Sequence, residues 1–452
     1  MKFKYLLPFM LLPLLFSGCK NKTSSNVNPL PDDSEEEDPN KVEIVVHGFY
    51  TREGLKVQIG YDDSYYAKSA AKFNKKVMKI SYGVSMLSGW LSELTTYFET
   101  MGFDNITGDP SYITPEGTDT IRYSFAHKHI EDFDLIAVTV NGMNYNLEWV
   151  NNFRVGESNN HYGFDSSANT VLEGLTNYIN DNSYSNCKFV VTGYSRGGGV
   201  ANVLASKLMQ SDTLSVTKDN LFAYTFEAPR GLCRENAQKY ENVYNILNRG
   251  DIVPQVAPEA FGMYRCGIDV DLYDPKIDEY IKALDPDIPL PSFKKDVNKY
   301  NNDAEFVSYI LRLLTTDDPE RYDEESYPYN FTDREHYQLI EPYLTYLLEK
   351  ILYMDDFTTA IEKISTMSTT EIIALLGNDG ENLYEFLKEV FDESEVSYDD
   401  EILREASRVT QKLGKRYFTV LTLAAMQSEN MQRVLSMHCP EFLYTFIENH
   451  KF

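Results

Sequence analysis

Residues 187–208 read CKFVVTGYSRGGGVANVLASKL. The apolar run at 189–192 predicts a buried strand, and the apolar residues at 200, 203, 204 and 208 recur at helical spacing. Between them lies the turn Gly-Tyr-Ser-Arg-Gly at 193–197, whose glycines let a strand and a helix pass close to each other. A Gly-x-Ser-x-Gly turn in this position is typical of a nucleophile elbow, so we predict Ser195 as a nucleophile.

The length and charge of the chain narrow its architecture and its partners. With 452 residues, it has room for two or three domains, or for one large α/β domain with additions. Its formal net charge of −27 repels nucleic acid and disfavours electrostatic docking on anionic lipid. We therefore expect no nucleic-acid partner, and the oligomeric state stays open.

The N-terminus has the organisation of a secretion signal. Lys2 and Lys4 form a basic segment, residues 5–16 are apolar but too few to span a bilayer, and Ser-Gly-Cys follows at 17–19. This pattern resembles a bacterial lipoprotein signal peptide, residues 1–18, with Cys19 as the acylated first residue of the mature chain. Phe16 departs from the Leu usual in that family, and an ordinary secretory signal is the alternative. The resemblance implies an extracytoplasmic protein of the cell envelope, lipid-anchored to a membrane.

Changes in composition divide the rest of the chain. Residues 19–41 are polar and acidic and predict a disordered tether. In the core, 42–272, strands alternate with helices, which predicts an α/β fold with a mostly parallel sheet flanked by helices. Residues 273–330 form a long insertion with an amphipathic helix at 306–314, and residues 331–452 predict a helical C-terminal region with a capping box at 368–371. The predicted core strands are 42–46, 56–61, 135–140, 189–192, 221–226 and 243–247, and the predicted core helices include 66–86, 91–101 and 168–179.

The four cysteines beyond the N-terminus do not form a recognisable set. Cys187, Cys233, Cys266 and Cys439 show neither C-x-x-C pairs nor the spacing of metal ligands. We therefore expect no metal and no cofactor. A bridge between Cys233 and Cys266 and free thiols are both open, and no disulfide is assigned.

A serine nucleophile needs a carboxylate that orients its histidine base. In an α/β-hydrolase this acid follows a strand beyond the elbow. Asp251 fits, because the turn at 248–254 comes directly after the predicted strand at 243–247. Asp269 and Asp271 are its rivals, but they lie at the start of or within another extended stretch.

The base follows the acid along the chain in this arrangement. Three histidines lie downstream: His336, His438 and His450. His438 and His450 lie in the terminal helical region. In contrast, His336 lies in TDREHY at 332–337, at the junction between the insertion and the C-terminal region. We therefore predict His336 as the base, with His438 and His450 as the alternatives.

Six sequence blocks occur in a specific order: IAVTVNG at 136–142, LEWVNNF at 147–153, HYGF at 161–164, GYSRGG at 193–198, AYTFEAPRG at 223–231 and LNRGDIVPQVAP at 247–258. Together with FGMYRCG at 261–267, they resemble the class-three lipases, the fungal-lipase-like α/β-hydrolases. The match covers about 135–268 and a short piece around His336. It implies Ser195 as nucleophile, Asp251 as triad acid, His336 as base and a structural role for His161. It also implies a lid in the insertion between acid and base.

The oxyanion hole departs from the family pattern. Asn-Gly-Met at 141–143 stands where the family usually has Arg-Gly-Thr or Arg-Gly-Ser, so a side-chain hydroxyl is missing. Backbone amides can serve instead, and we predict those of Met143 and Arg196, beside the elbow glycines Gly193 and Gly197. The rival donor segment is His47-Gly48.

These features predict an extracytoplasmic serine hydrolase that cleaves carboxylic esters, with acyl lipids as the expected substrate. The alternative is a non-catalytic surface binding or adhesion lipoprotein on a lipase-like fold. An acyltransferase would use the same acyl-enzyme and differ only in the acyl acceptor.

Overall fold

The structure is a computed structural model that describes residues 40–48, 54–112, 120–144, 147–157, 159–257, 259–272, 274, 276–284, 305, 334–352, 371, 374–375, 377–425 and 437–450. The predicted signal peptide, Cys19 and nearly all of the predicted tether lie outside these residues. So do most of the insertion, including its predicted helix at 306–314, and residues 368–370 of the predicted capping box.

The described core is built on a seven-stranded sheet with the order β3-β4-β5-β6-β7-β8-β9. The strands from β5 to β9 are parallel, and β3 and β4 are antiparallel additions at one edge. The predicted α/β-hydrolase-like fold with a mostly parallel sheet is therefore confirmed. The strands are Asp104–Gly108 (β3), Tyr123–Ile130 (β4), Phe133–Val140 (β5), Cys187–Tyr194 (β6), Leu221–Phe226 (β7), Val243–Asn248 (β8) and Ile268–Leu272 (β9).

Helices cover both faces of this sheet because alternate strand residues point to opposite sides. On β6, Val190 and Tyr194 join the apolar cluster of one face, while Phe189 and Val191 join that of the other. The first face is covered by α1 (Lys75–Leu87) and α2 (Leu91–Thr100). The second face is covered by α3 (Tyr162–Asn182) and α4 (Arg196–Gln210).

The first core helix begins later than the sequence pattern predicts. The predicted helix at 66–86 is a short 3₁₀ turn, Asp63–Tyr66, followed after a gap by α1. The side chain of Asn74 accepts hydrogen bonds from the backbone N–H groups of Lys76 and Val77, and this cap starts the helix at Lys75.

A separate hairpin precedes the sheet. β1 (Lys41–Val46) pairs antiparallel with β2 (Leu55–Gly60), and both strands lie within one residue of the strands predicted at 42–46 and 56–61. Every second residue of each strand is buried, and these apolar side chains belong to the same cluster as α1. The hairpin therefore extends the cover on the first face of the sheet.

The described C-terminal residues are mostly helical, as predicted. A helical unit forms its own apolar cluster from α6 (Arg334–Leu352), α7 (Glu381–Glu393) and α8 (Asp400–Ala425). In contrast, α9 (Pro440–Asn449) packs with α1 in the main core, beside α5 (Ile277–Leu284). The C-terminal segment with α9 is therefore part of the main core, and this packing determines where the histidines of that segment lie.

The described residues contain neither a membrane-spanning helix nor a metal-binding cluster. No helix in this part of the chain combines the length and apolar character needed to cross a bilayer. Within the same residues, no group of three or more His, Cys, Asp or Glu side chains is arranged to hold a metal ion.

Candidate active site

Ser195 occupies the sharp turn between β6 and α4. Its φ of 54° and ψ of −127° are strained for a residue with a side chain. The backbone N–H of Ser195 donates to the carbonyl of Phe226 at 2.8 Å, which ties the turn to the end of β7. At Gly193, a Cβ atom would overlap the carbonyl of Gly197, so this turn requires glycine. The local geometry is that of a nucleophile elbow.

Ser195 lies at one end of a hydrogen-bonded chain of three side chains. Its Oγ is 2.8 Å from Nε2 of His438, and Nδ1 of His438 is 2.5 Å from Oδ2 of Asp251. The exposed fractions of Ser195, His438 and Asp251 are 8%, 5% and 0%. A serine, a histidine and a carboxylate in this order form the arrangement that activates a hydroxyl for nucleophilic attack.

The turn after β8 holds Asp251 in place. The amide of Asp251 donates to the carbonyl of Asn248 at 3.1 Å, and Oδ1 of Asp251 accepts from the amide of Val253 at 2.8 Å. The second oxygen of the carboxylate is thereby directed to His438. Asp251, which the sequence predicts as the acid, is therefore the carboxylate that contacts the His438 imidazole.

The structure corrects the choice of His336 as the base. His336 lies near the start of α6, and its neighbours Arg334 and Tyr337 bond to the carbonyls of Gly156 and Phe153 at 2.7 and 2.6 Å. The imidazole between Ser195 and Asp251 belongs to His438. The prediction was wrong because the terminal segment was taken as a helical extension, whereas it packs into the main core.

A local sequence signal points to His438. Pro440 is the first residue of α9, a position where proline is favoured because its missing N–H is not needed there. A histidine two residues before such a proline lies in the loop ahead of the helix. That signal distinguishes His438 from His450, which lies after the last turn of α9. The pKa of His450 is lowered, mainly by burial.

Three side chains from the core hold the loop that carries His438. The hydroxyl of Tyr194 donates to the carbonyl of His438, and the Tyr194 ring stacks on the imidazole with 5.1 Å between centroids. Asn248 Nδ2 donates to the carbonyl of Met437 at 3.1 Å, and the Tyr82 hydroxyl donates to that of Pro440 at 2.9 Å. Burial and the nearby Asp251 charge raise the pKa of Tyr194 well above its usual value, so its hydroxyl stays protonated as a donor.

The predicted oxyanion segment lies directly against the elbow. A Cβ atom at Gly142 would overlap the carbonyl of Tyr194, so the chain approaches as closely as glycine permits. The amide of Met143 donates to Oδ1 of its neighbour Asn141 at 3.0 Å. The amide of Arg196 is at the first residue of α4, next to Ser195. The roles of Met143 and Arg196 stay predictions, and that of Met143 requires the bond to Asn141 to break.

The rival segment at residues 47–48 makes other contacts. His47 Nε2 is 2.7 Å from a carboxylate oxygen of Glu93, and its ring stacks on Trp90 with 3.9 Å between centroids. A Cβ atom at Gly48 would overlap the Glu441 side chain of α9. These contacts give His47 structural partners at the surface of the hairpin.

Residues 135–261 match the family model described as lipase (class 3). The matched segment runs from β5 to just beyond the turn after β8, so it contains Ser195 and Asp251 and ends before His438. Residues 135–261 are therefore a lipase-like segment, and this match supports the prediction of a carboxylic ester hydrolase of the serine type.

Parts of this chain match solved lipases from fungi. The Rhizomucor miehei triacylglyceride lipase is 20% identical, with 45% of this chain and 82% of that chain covered and a TM-score of 0.33. Lipase II from Rhizopus niveus is 17% identical, with 44% and 81% covered and a TM-score of 0.35. The lipase from Rhizopus microsporus var. chinensis is 19% identical, with 56% and 86% covered and a TM-score of 0.34. No curated protein matches the chain.

Behind the elbow of the lipase segment lies a buried ionic cluster that sequence reasoning missed. Arg196 Nη1 is 3.7 Å from one carboxylate oxygen of Glu148, and Arg122 Nε is 3.7 Å from the other. Burial raises the pKa of Glu148 against the opposing effect of both arginines. The side chain of Arg196 therefore points into the core. It joins α4 to the segment before α3 and does not enter the site at Ser195.

The remaining predicted residues have structural surroundings. His161 is buried, stacks on Phe164 with 4.2 Å between centroids, and has its pKa lowered to about 3 mainly by burial. Cys187, Cys233, Cys266 and Cys439 are free thiols. The open choice at Cys233 and Cys266 is therefore decided in favour of unbridged side chains.

Proposed function

We propose that this chain is a lipase-type serine hydrolase that cleaves carboxylic esters of acyl lipids with Ser195, His438 and Asp251 as its triad. The observation that carries the proposal is the buried chain of hydrogen bonds, 2.8 Å from Ser195 to His438 and 2.5 Å from His438 to Asp251. The class 3 lipase match over the nucleophile and the acid supports the same reaction.

The reaction follows from the geometry. Asp251 accepts the hydrogen bond from Nδ1–H of His438, which leaves Nε2 free to take the proton of the Ser195 hydroxyl. The oxygen of Ser195 attacks the acyl carbonyl, and the carbonyl oxygen becomes an oxyanion. His438 then returns the proton to the leaving alcohol, so the ester bond breaks and an acyl-enzyme remains. A water molecule, deprotonated by His438, attacks the acyl-enzyme and releases the fatty acid.

The oxyanion needs donors beside Ser195. The amide of Arg196 is at the N-terminus of α4, where backbone N–H groups and the helix dipole favour negative charge. The amide of Met143 is the second donor in this proposal, once its bond to Asn141 has opened. Each such donor typically contributes about 3 kcal/mol to the stabilisation of the transition state.

A fluorophosphonate probe tests the nucleophile directly. We expect the wild-type chain to be labelled, Ser195→Ala to be unlabelled, and the control Ser206→Ala to be labelled like the wild type. Ser206 suits the control because it is a buried serine of α4 whose hydroxyl donates to the Asn236 carbonyl, on the same helix that follows the elbow. An unlabelled wild-type chain would refute the proposal and favour the non-catalytic binding protein.

A substrate series tests the reaction class. We expect hydrolysis of p-nitrophenyl esters and release of free fatty acid from an acylglycerol emulsion, both lost in Ser195→Ala. Transfer of the acyl group to an added alcohol in preference to water would identify an acyltransferase. Activity restricted to short soluble esters would contradict the acyl-lipid assignment.

We also propose that the protein is a lipid-anchored, extracytoplasmic lipoprotein acylated at Cys19. The support is the sequence of residues 1–19, whose basic, apolar and Ser-Gly-Cys segments follow the lipoprotein signal pattern. Metabolic labelling with radioactive palmitate should mark the wild-type protein and the control Cys187→Ala, and should fail to mark Cys19→Ala. Label retained in Cys19→Ala would refute the anchor.

A further inference from the structure

A second carboxyl group is buried beside the acid of the proposed triad. Glu227 follows β7 directly, has a φ of 46° and is fully buried. Both of its side-chain oxygens lie 3.0 Å from the backbone N–H of Asn248, the last residue of β8. The carbonyl of the same Asn248 accepts the amide of Asp251. Asn248 therefore positions both acids, which are fully buried, and the Glu227 carboxyl faces the side chain of Asp251.

The surroundings allow only one negative charge at this pair. Two carboxylates in contact in a dry site repel each other, so one of them holds a proton. Burial, followed by the charge of Asp251, raises the pKa of Glu227 well above its usual range, against smaller opposing effects of the Asn248 amide and Arg265. Asp251 is the member that faces the imidazole of His438 and accepts the Val253 amide. The proton is therefore assigned to Glu227.

The charged and titratable neighbours are consistent with this assignment. Arg265 faces Glu227, but its guanidinium forms an ion pair with Asp269 at 2.8 Å and donates to two backbone carbonyls. Tyr194 also faces the pair and is a neutral donor. On the other side, Asp251 faces His438 and the buried thiol of Cys439.

We propose that Glu227 is a positioning residue of the triad. Its protonated carboxyl donates a hydrogen bond to Asp251, which stabilises the negative charge of the Asp251 carboxylate and orients that carboxylate toward His438. The inference rests on the proposed Ser-His-Asp mechanism. It adds a fourth residue that touches neither substrate nor Ser195 and acts through Asp251.

Two variants of similar side-chain size distinguish the loss of a hydrogen-bond donor at residue 227 from a change in packing there. Glu227→Gln keeps a donor for Asp251 and an acceptor for the Asn248 amide, and it keeps the site neutral at this position. Glu227→Met keeps the volume but has no N–H or O–H. The readout is kcat/KM for a p-nitrophenyl ester from about pH 5 to about pH 9, because the acidic limb of this profile reports the protonation of the free base.

We expect Glu227→Gln to keep wild-type kcat within about threefold and the midpoint of the acidic limb within about 0.3 pH unit, because it conserves both charge and donor. Glu227→Met should lose about tenfold in kcat and move the midpoint up by about 0.5 pH unit or more. Without the hydrogen bond from residue 227, the negative charge of Asp251 stabilises the His438 imidazolium more strongly.

Two results would overturn the inference. A downward shift of the midpoint by about one pH unit in Glu227→Gln would show that the wild-type side chain carries a charge, since its removal then destabilises the imidazolium. Profiles of both variants identical to the wild type would show that no hydrogen bond to Asp251 is at work.

An infrared measurement does not depend on turnover. The stretching band of a protonated, buried carboxyl group should appear in the wild type and in Ser195→Ala, and should be missing from Glu227→Gln. Its absence from the wild type would overturn the assignment of the proton even in a protein that hydrolyses esters. Its presence in a protein that fluorophosphonate does not label would leave the proton assigned but refute the hydrolase.

Discussion

Nε2 of His438 lies 2.8 Å from Oγ of Ser195, although 243 residues separate them along the chain. The contact exists because α9 packs into the same apolar cluster as β6 and α1, which brings the loop before α9 over the elbow. The lipase-like segment at 135–261 ends well before this loop. The proposed base is therefore delivered by the terminal helix and lies outside the segment that carries the nucleophile and the acid.

Removing the base should separate His438 from His336. We expect His438→Ala to lower kcat/KM by at least about 10³-fold, because among the described residues His438 is the base hydrogen-bonded to the Ser195 hydroxyl. His336→Ala, the control, should stay within about threefold of the wild type, since His336 lies on α6. Steady-state hydrolysis of a p-nitrophenyl ester measures both. The reverse result would restore His336 as the base.

Replacing the acid tests the orientation of the imidazole. Asp251→Asn keeps an oxygen for the Val253 amide but presents an amide to His438, which favours the wrong tautomer and should cost about 10⁴-fold in kcat. Asp271→Asn is the matched control, because Asp271 lies on β9 and pairs with Arg249 near the surface. Equal losses in the two variants would show that Asp251 has no special role.

The residue before the nucleophile should stabilise the base loop. Tyr194→Phe removes the hydroxyl that donates to the carbonyl of His438, and we expect a loss of about 1 kcal/mol in the free energy of unfolding. The looser loop should also lower kcat. Tyr97→Phe is the control, because the buried Tyr97 hydroxyl has no hydrogen-bond partner in the described part of the chain. Urea unfolding and kcat measured on both variants check the prediction, which fails if Tyr97→Phe is the more damaging change.

The stability of the fold should fall in acid because of His161. Burial lowers its pKa from the ordinary 6.5 to about 3, so between these values the unfolded chain binds a proton that the folded chain does not. Stability is therefore full above pH 6.5 and declines toward pH 3. Compared with the wild type, His161→Gln should lose about 2 kcal/mol less free energy of unfolding between pH 7 and pH 5.

The exposed His129 is the control, because its effect on the pH dependence of stability has the opposite sign. The pKa of His129 on β4 is raised, first by its hydrogen bond to Asp134, so its contribution is complete below 6.5 and is lost as the pH rises through the raised value. His129→Gln should therefore enlarge the difference in stability between pH 7 and pH 5. Urea titrations at the two pH values measure both variants, and a change of the same sign in both would contradict the assignment.

Sequence reasoning located the turns that carry Ser195 and Asp251, because both turns depend on neighbouring residues. The periodicity of apolar residues predicts both the strand and the helix that flank the turn with Gly193, Ser195 and Gly197. Asp251 follows its strand within one turn. Strand β4, between β3 and β5, was missed, since its run of buried residues lacks the alternation that marks a half-buried strand. Glu227 gave no signal either, because only burial against Asp251 makes a glutamate after a strand unusual.

The amino-acid sequence alone determined the fold class and the turns that carry Ser195 and Asp251, because glycines at a tight turn and the order of strands and helices can be read from neighbouring residues. Only the tertiary structure decided the histidine. A helix of ten residues at the end of the chain packs by its apolar face onto α1 and the sheet, and this long-range burial carries His438 to Ser195. No local pattern specifies which distant surface an apolar face will cover, so His336 and His438 could not be told apart until that packing was known.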